Sequence, residues 1–303
     1  MKKRKLGNSD LYITELGLGC MSIGTEEKTA RKIIEASLEE GINYFDTADL
    51  YDFGENERIV GNALKEVRER VIIATKVGNR WNQAKNGWAW DPSKAYIKEE
   101  VKQSLKRLGT DYIDLYQLHG GTIDDPIEET IEAFEELKAE GYIRYYGISS
   151  IRPNVIREYV KKSSLVSVMM QYSILDRRPE EEALPLLQEY GVSVVTRGPL
   201  AKGILSDKML EKVTEKGYQD YSSSELYEVL PLLKEKLADS RSFTEIAIHY
   251  NLATPAVASV VAGASSIEQV RSNAKAVRSQ PLTDKEISFI KEITKASFYK
   301  EHR

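Results

Sequence analysis

The sequence predicts an α/β fold: a (β/α)8 TIM barrel with an N-terminal β-hairpin and extra C-terminal helices. Three observations carry that reading. Short apolar, β-rich runs alternate with longer amphipathic stretches, the pattern of parallel strands joined by crossover helices. Eight such units fit into about 250 residues, which suits a closed barrel better than an open sheet. Glycine stands between a helix and the next strand at Gly41, Gly109, Gly141 and Gly191, where a left-handed residue closes a helix.

The elements follow in order. Lys3–Leu6 and Leu11–Thr14 flank Gly7-Asn8-Ser9-Asp10, a turn-rich tetrapeptide, so the chain opens on a hairpin at the bottom of the barrel. The barrel strands read as Leu16–Cys20, Asn43–Asp46, Val71–Thr75, Tyr112–Leu118, Ile143–Ile148, Ser167–Gln171, Ser193–Arg197 and Ala258–Ala262. Between them lie Glu26–Glu39, Glu55–Val67, Ser93–Leu108, Ile127–Ala139, Ile151–Val160, Pro179–Glu189, Phe243–Tyr250 and Ile267–Ala276. Ile97, Val101, Leu105 and Leu108 show the expected helical stripe. The segment Leu205–Ser240 lengthens the seventh crossover and carries one more helix, Ser224–Leu237. Thr283–Thr294 closes the chain, with Thr283 and Glu286 spaced as a capping box. No repeat or linker interrupts the pattern, so one domain is expected over residues 1–303.

Composition narrows the function classes. The chain has 303 residues, 30% charged and 41% hydrophobic, with a formal net charge of -4. That near balance argues against a nucleic-acid partner. No apolar run approaches the roughly 20 residues needed to span a bilayer. Lys2, Lys3, Arg4 and Lys5 form a basic cluster without the apolar run of a secretory signal. A lone cysteine, Cys20, excludes an intramolecular disulfide and fits a reducing compartment, so a cytoplasmic protein is expected. Three scattered histidines, His119, His249 and His302, make no His/Cys metal site.

In a barrel, chemistry belongs at the C-terminal ends of the strands. Asp46 ends the second predicted strand, Lys76 ends the third (Ile-Ile-Ala-Thr-Lys) and His119 ends the fourth (Tyr-Gln-Leu-His). Tyr51 lies in the loop after the second. A strand-end Asp alone caps turns as readily as it catalyses. Together on consecutive strands, these residue types point to acid catalysis at a carbonyl. A phenol near pKa 10 is a poor donor at neutral pH. An ammonium at about 4 Å contributes roughly 4 kcal/mol at an effective dielectric of 20, enough to lower the phenol by up to about three units. Asp46 would hold Lys76 charged from its far side, and a neutral His119 would orient the carbonyl oxygen. No side chain offers itself as the nucleophile, so a cofactor hydride is the natural candidate. Alternatively, Lys76 at a strand end could form a Schiff base in an aldolase, although Asp46 beside it would raise its pKa.

These residues resemble the aldo-keto reductase family. Gly41-Ile-Asn-Tyr-Phe-Asp46-Thr-Ala-Asp-Leu-Tyr51 is similar to the family's first signature, and Arg107-Leu-Gly-Thr-Asp-Tyr-Ile-Asp-Leu-Tyr-Gln-Leu-His119 to its second. The resemblance implies NAD(P)H-dependent reduction of aldehydes or ketones, a small-molecule carbonyl substrate, and a tetrad of Asp46, Tyr51, Lys76 and His119. The bacterial, potassium-channel-β-like branch is the nearer one. It also permits a redox sensor that holds NADPH with little turnover.

By the same resemblance, Gly19, Cys20 and Met21 fall beside the nicotinamide, and Ser149 and Gln171 on its carboxamide. Ser150 replaces the family's usual Asn. Arg197, Gly198, Leu200, Lys202 and Gly203 match the loop over the pyrophosphate, with Arg197 where an aromatic ring often stacks. That guanidinium should disfavour the oxidised, positively charged nicotinamide. Gly263, Ser265, Gln269 and Asn273 match the adenosine segment at a helix start, where free N–H groups face an anion. The family's Lys and Arg for the 2′-phosphate are Gly263 and Gln269 here, leaving Ser265, Ser266 and Arg271; NADPH is the cofactor expected by family.

Other signals are weaker. Gly17-Leu-Gly19-Cys-Met-Ser22 fails the dinucleotide G-x-G-x-x-G spacing, since Ser22 stands at the third glycine. Trp81, Trp88 and Trp90 after the third strand read either as a packed surface loop or as the wall of an apolar substrate pocket. Cys20 reads as a packing residue or an oxidation-sensitive thiol, and His249 as structural.

Overall fold

A computed structural model describes residues 1–237 and 241–303, so the last three residues of the Leu205–Ser240 extension lie outside the described part. Eight parallel strands close into a barrel in chain order. They are β1 (Leu16–Gly19), β2 (Tyr44–Asp46), β3 (Ile72–Val77), β4 (Ile113–Leu118), β5 (Ile143–Ser149), β6 (Ser167–Gln171), β7 (Ser193–Arg197) and β8 (Val257–Gly263). Helices α1 (Glu27–Glu39), α2 (Glu55–Leu64), α3 (Lys94–Leu108), α4 (Ile127–Ala139), α5 (Pro153–Lys162) and α6 (Ala183–Glu189) follow β1 to β6 in turn. After β7 come α7 (Ser223–Leu237) and α8 (Phe243–Leu252), and after β8 come α9 (Ile267–Arg278) and α10 (Asp284–Ile293). Among the described residues, no helix is long and apolar enough to cross a membrane.

The expected barrel and hairpin are both present, and the differences have local causes. β1 stops at Gly19, and Cys20 opens a 3-10 turn instead of ending the strand. β3 runs on to Val77 because Lys76 and Val77 still pair with Gln117 and Leu118 of β4. Lys76 therefore stands inside the barrel wall, one residue before the end of β3. α5 begins at Pro153 and not at Ile151, because proline pushes the preceding Arg152 out of the helical region, to φ -99 and ψ 109. Glycines 41, 109, 141 and 191 all take the positive φ that closes a helix. Thr283 and Glu286 form the capping box of α10. One element was not foreseen: Asn79–Trp81 pairs antiparallel with Trp88–Trp90, which makes the tryptophan segment a second hairpin. Its strands are too short for alternation to show.

Two cores result. The larger lies between the strands and the helices, as a row such as Ile97, Val101, Leu108 on α3 indicates. The smaller fills the barrel: Tyr44, Ile72, Leu115, Met169, Val195 and Val261 point inward and meet Leu6, Leu11 and Ile13 of the N-terminal hairpin. Those three are at most 3% exposed, so each contributes on the order of 1.5–3 kcal/mol. The hairpin is pinned to strand starts: Gly7 N–H donates to Ser193 Oγ at 2.8 Å and Thr14 N–H to Asn43 Oδ1 at 2.8 Å. It plugs the N-terminal end of the barrel and leaves the C-terminal end open.

Candidate active site

At that open end, β2 and β3 bring Asp46 and Lys76 side by side. Lys76 Nζ donates to Asp46 Oδ1 at 2.6 Å, to the Thr47 carbonyl at 2.7 Å and to Tyr51 Oη at 3.3 Å. The lysine side chain is 1% exposed, because the strand that carries it is still inside the barrel wall. Burial alone would pull its pKa down, but Asp46 and then Tyr51 outweigh that, so the ammonium sits above its ordinary 10.5. Burial likewise pushes Asp46 up, and the Lys76 cation opposes it. The lysine stays charged at neutral pH.

Tyr51 reaches this pair through an irregular turn. Asp52 and Phe53 take φ of 49 and 53, left-handed values that non-glycine residues rarely adopt, and Gly54 follows at 85. The turn lays the Tyr51 ring so that Lys76 Nζ is 4.9 Å from its centroid. On its other side, the His119 ring meets Tyr51 edge-on at 5.9 Å. His119 leaves β4 with its N–H donating to the Val77 carbonyl at 2.7 Å, while Asn79 Nδ2 holds its carbonyl at 3.1 Å. Burial, then the charges of Lys76 and Arg197, drive its imidazole down to about 3, so it is neutral in use. Its Nδ1 is buried without a partner. A buried polar atom of that kind normally pairs, so Nδ1 is an exception inside the wall, while the residue itself lines the cleft.

The four residues expected to act together are thus assembled around one point. Sequence reasoning missed the residues behind them. Gln117 Nε2 donates to Asp46 Oδ2 at 3.3 Å. Asn56 accepts from Thr47 Oγ1 at 2.7 Å and donates to the Cys20 carbonyl at 2.8 Å, fixing the Thr47 carbonyl that holds Lys76. Glu57, fully buried, accepts from Thr75 Oγ1 at 2.5 Å and from Arg107 Nε at 2.7 Å. The only available signal was polar residues breaking the apolar face of α2.

A cleft of about 1450 Å³ opens above the four residues. Its walls include Gly19, Met21, Ser149, Ser150, Gln171, Arg197, Gly198, Leu200, Lys202, Gly203, Gly263, Gln269 and Asn273. Cys20, Ser265 and Trp81 are not among the wall residues. Cys20 is fully buried, and burial pushes its thiol well above the ordinary range, so it packs and does not react. Ser265 donates from N–H and Oγ to Gln269 Oε1, at 2.7 and 3.2 Å. Trp81 packs edge-on against Phe53, while Trp88 and Trp90 face the cleft. The Gln171 amide is engaged at both ends: Oε1 accepts from Arg197 at 2.9 Å and Nε2 donates to Asp176 at 2.8 Å. At Gly263 a Cβ would come within 2.6 Å of Ser22 Oγ, so any larger residue there must displace the wall. His249 lies elsewhere, buried between the Ala276 carbonyl and Ser279 Oγ.

Residues 15–295 match the sequence profile described as the Aldo/keto reductase family. The chain belongs to that family. It is 60% identical over its whole length, and that of the relative, to the uncharacterized oxidoreductase YqkF of Bacillus subtilis (strain 168). Over 98% of this chain and 99% of the relative, it is 33% identical to an NADH-specific methylglyoxal reductase of Escherichia coli (strain K12). The structure of aldo-keto reductase AKR11C1 from Bacillus halodurans, holo form, superposes with a TM-score of 0.95 at 62% identity, covering 100% of this chain and 99% of that one. These relatives are bacterial, as the nearer branch implied. Membership makes this aldo-keto reductase an oxidoreductase, and the family's reaction is NAD(P)H-dependent carbonyl reduction.

Proposed function

We propose that the protein reduces aldehydes or ketones to alcohols with NADPH, using Tyr51 as proton donor. The observation that carries this is the contact of Tyr51 Oη with a buried, aspartate-paired ammonium, 3.3 Å away. The nicotinamide, when bound, supplies a hydride to the carbonyl carbon. The cleft fits such a cofactor: Ser149, Ser150 and Gln171 would hold the carboxamide end, Lys202 and the loop after β7 the pyrophosphate, and Gln269 and Asn273 the adenosine.

The side chains do the rest. His119, neutral and on the cleft wall, orients the carbonyl oxygen. Tyr51 delivers the proton to that oxygen, and Lys76 stabilises the phenolate left behind. Asp46, paired with Lys76 Nζ at 2.6 Å, keeps the ammonium charged. The same ion pair weighs against an amine nucleophile, and therefore against Schiff-base chemistry.

NADPH over NADH rests on a loose cation. Arg271 meets Glu39 only at 3.7 Å, with both side chains more than 60% exposed, so it is free to swing to a 2′-phosphate. Discrimination should be modest. The test is a panel of aldehydes with both cofactors, comparing kcat/KM. Tight NADPH binding with no turnover on any aldehyde would favour a sensor instead.

A further inference from the structure

Arg152 occupies an unusual position for its charge. Among the described residues, every arginine except Arg70, Arg152 and Arg197 has a carboxylate oxygen within 4.0 Å. Arg70 is exposed, just before β3 begins. Arg152 and Arg197 both line the cleft. Arg197 ends β7, and Lys202, Lys208 and Lys212 follow it along the same wall of the cleft, the side fitted to the cofactor's phosphates. Arg152 sits on the loop after β5, and its guanidinium donates to the Gly121 carbonyl, two residues beyond His119. It is half-buried, and that carbonyl is its one protein acceptor among the described residues.

The neighbourhood is otherwise apolar and rigid. Trp90 is fixed by Nε1 donating to Asp125 Oδ1 at 2.9 Å, and its ring closes on Gly78 and Gly120, where a Cβ would approach it to 2.7 and 3.2 Å. Trp88 and Met21 add exposed apolar surface, 58% and 64% accessible, to the same cleft. Asp125 does not neutralise Arg152: its oxygens accept from Trp90 and from the N–H and Oγ of Thr122. Pro153 fixes the Arg152 backbone in extended form, and its N–H donates to Ser150 Oγ at 3.2 Å, so the side chain springs from a set point. A half-buried guanidinium loses hydration, and a planar anion restores its pairing best.

We propose that Arg152 is a specificity-determining anion subsite, which selects aldehydes or ketones carrying a carboxylate on an apolar scaffold. The scaffold lies against Trp88, Trp90 and Met21, and the carboxylate pairs with the guanidinium while the carbonyl meets Tyr51 and His119. This rests on the reductase reading above.

The test uses 4-carboxybenzaldehyde and methyl 4-formylbenzoate, close in shape and differing in charge. The wild-type enzyme should favour the acid in kcat/KM by about tenfold or more, the worth of a charge-assisted pair. Arg152→Gln should bring the acid-to-ester ratio close to one, and Arg152→Lys should restore part of it, since the charge returns without the planar fork. A wild-type ratio at or below one overturns the proposal. So does a preference that survives in Arg152→Gln, which would place the carboxylate on the cations after β7. Titration calorimetry with benzoate, against benzamide, separates this failure from that of the reductase reading. If neither aldehyde is reduced but benzoate binds the wild type and not Arg152→Gln, the reaction is wrong and the subsite stands. Equal benzoate binding by both proteins removes the subsite.

Discussion

Replacing Asp46 by Asn removes the anion facing the Lys76 ammonium at 2.6 Å while keeping nearly the same side-chain volume. The two side chains are 5% and 1% exposed, so water cannot take over the lost role. At that separation and an effective dielectric of 20, the attraction is about 6 kcal/mol. At about 1.36 kcal/mol per unit, this corresponds to between four and five units on the lysine. The amide oxygen and the Thr47 carbonyl still accept hydrogen bonds, so about half of that, or two units, is the conservative expectation. Lys76 would then be partly a free amine at pH 8. Incubating Asp46→Asn with benzaldehyde and cyanoborohydride from pH 6 to 10, followed by peptide mass spectrometry, reads that change as reductive alkylation of Lys76. The wild type should resist below about pH 9, and the variant should show a labelling midpoint about two units lower. Reduction of aldehydes with NADPH should hold near pH 7, where Lys76 is still an ammonium, and fall as pH rises through the lowered labelling midpoint, because the phenol then loses its cationic neighbour. Breaking a buried pair also costs about 3–5 kcal/mol of stability, so both measurements belong well below the melting temperature. A labelling midpoint within half a unit of the wild type would show that the aspartate is not what keeps Lys76 charged.

Tyr51→Phe should lower kcat about 10²–10⁴-fold with NADPH affinity nearly intact, since the ring stays and only the proton donor goes; stopped-flow hydride transfer and fluorescence titration report the two separately. His119, held at about 3 in the folded chain against an ordinary 6.5, binds its proton more readily when unfolded, so its contribution is full above pH 6.5 and declines as pH falls towards 3. Stability should therefore drop by about 2 kcal/mol from this residue between pH 7 and 5, seen as a smaller urea-midpoint shift in His119→Gln than in the wild type. Arg197→Tyr should tighten the oxidised cofactor relative to the reduced one, because a cation leaves the cleft; an unchanged ratio of dissociation constants by fluorescence would discard the charge argument. Gly61→Ala should cost several kcal/mol in chemical denaturation, since its Cβ would lie 2.2 Å from the Leu108 carbonyl oxygen where α2 crosses α3.

What the sequence made legible was whatever is repeated or terminal. Strand–helix alternation is repeated eight times, so a misplaced boundary at Cys20 or Lys76 left the barrel intact. Asp46, Tyr51 and His119 stand at or beyond the ends of apolar runs, which is where a barrel exposes polar groups. What stayed hidden depends on pairing between distant positions. Glu57 and Arg107 look like ordinary polar residues on two amphipathic helices until Thr75, one residue before Lys76, is found bonded to the first of them. Trp81 and Trp88 pair across a hairpin, and only the packed fold shows that Trp88 lines the cleft while Trp81 meets the Phe53 ring. Arg152 carried no signal at all, because an unpaired arginine is visible only once the partners of the others are known.

The whole-chain charge of -4 and the chemistry of the cleft point in opposite directions, because the sum hides which charges are paired. Among the described residues, Glu15, Asp46, Asp49, Glu57, Glu100, Asp114 and Asp176 are buried, against Lys76 and Arg177, so the acidic excess lies inside and largely in fixed pairs. Inside the barrel mouth, screening is weak and each cation is defined by its partner. Lys76 has Asp46 and is held as a pair, so it acts on its neighbours Tyr51, at 3.3 Å, and His119. Among the described residues, Arg152, Arg197 and Lys202 have no carboxylate within 4.0 Å, so their fields extend into the cleft from two sides. The side after β7 suits a dinucleotide's phosphates. The side after β5 is then left with a cation that no part of the assigned cofactor site requires, and an anionic group on the substrate is the partner that accounts for it.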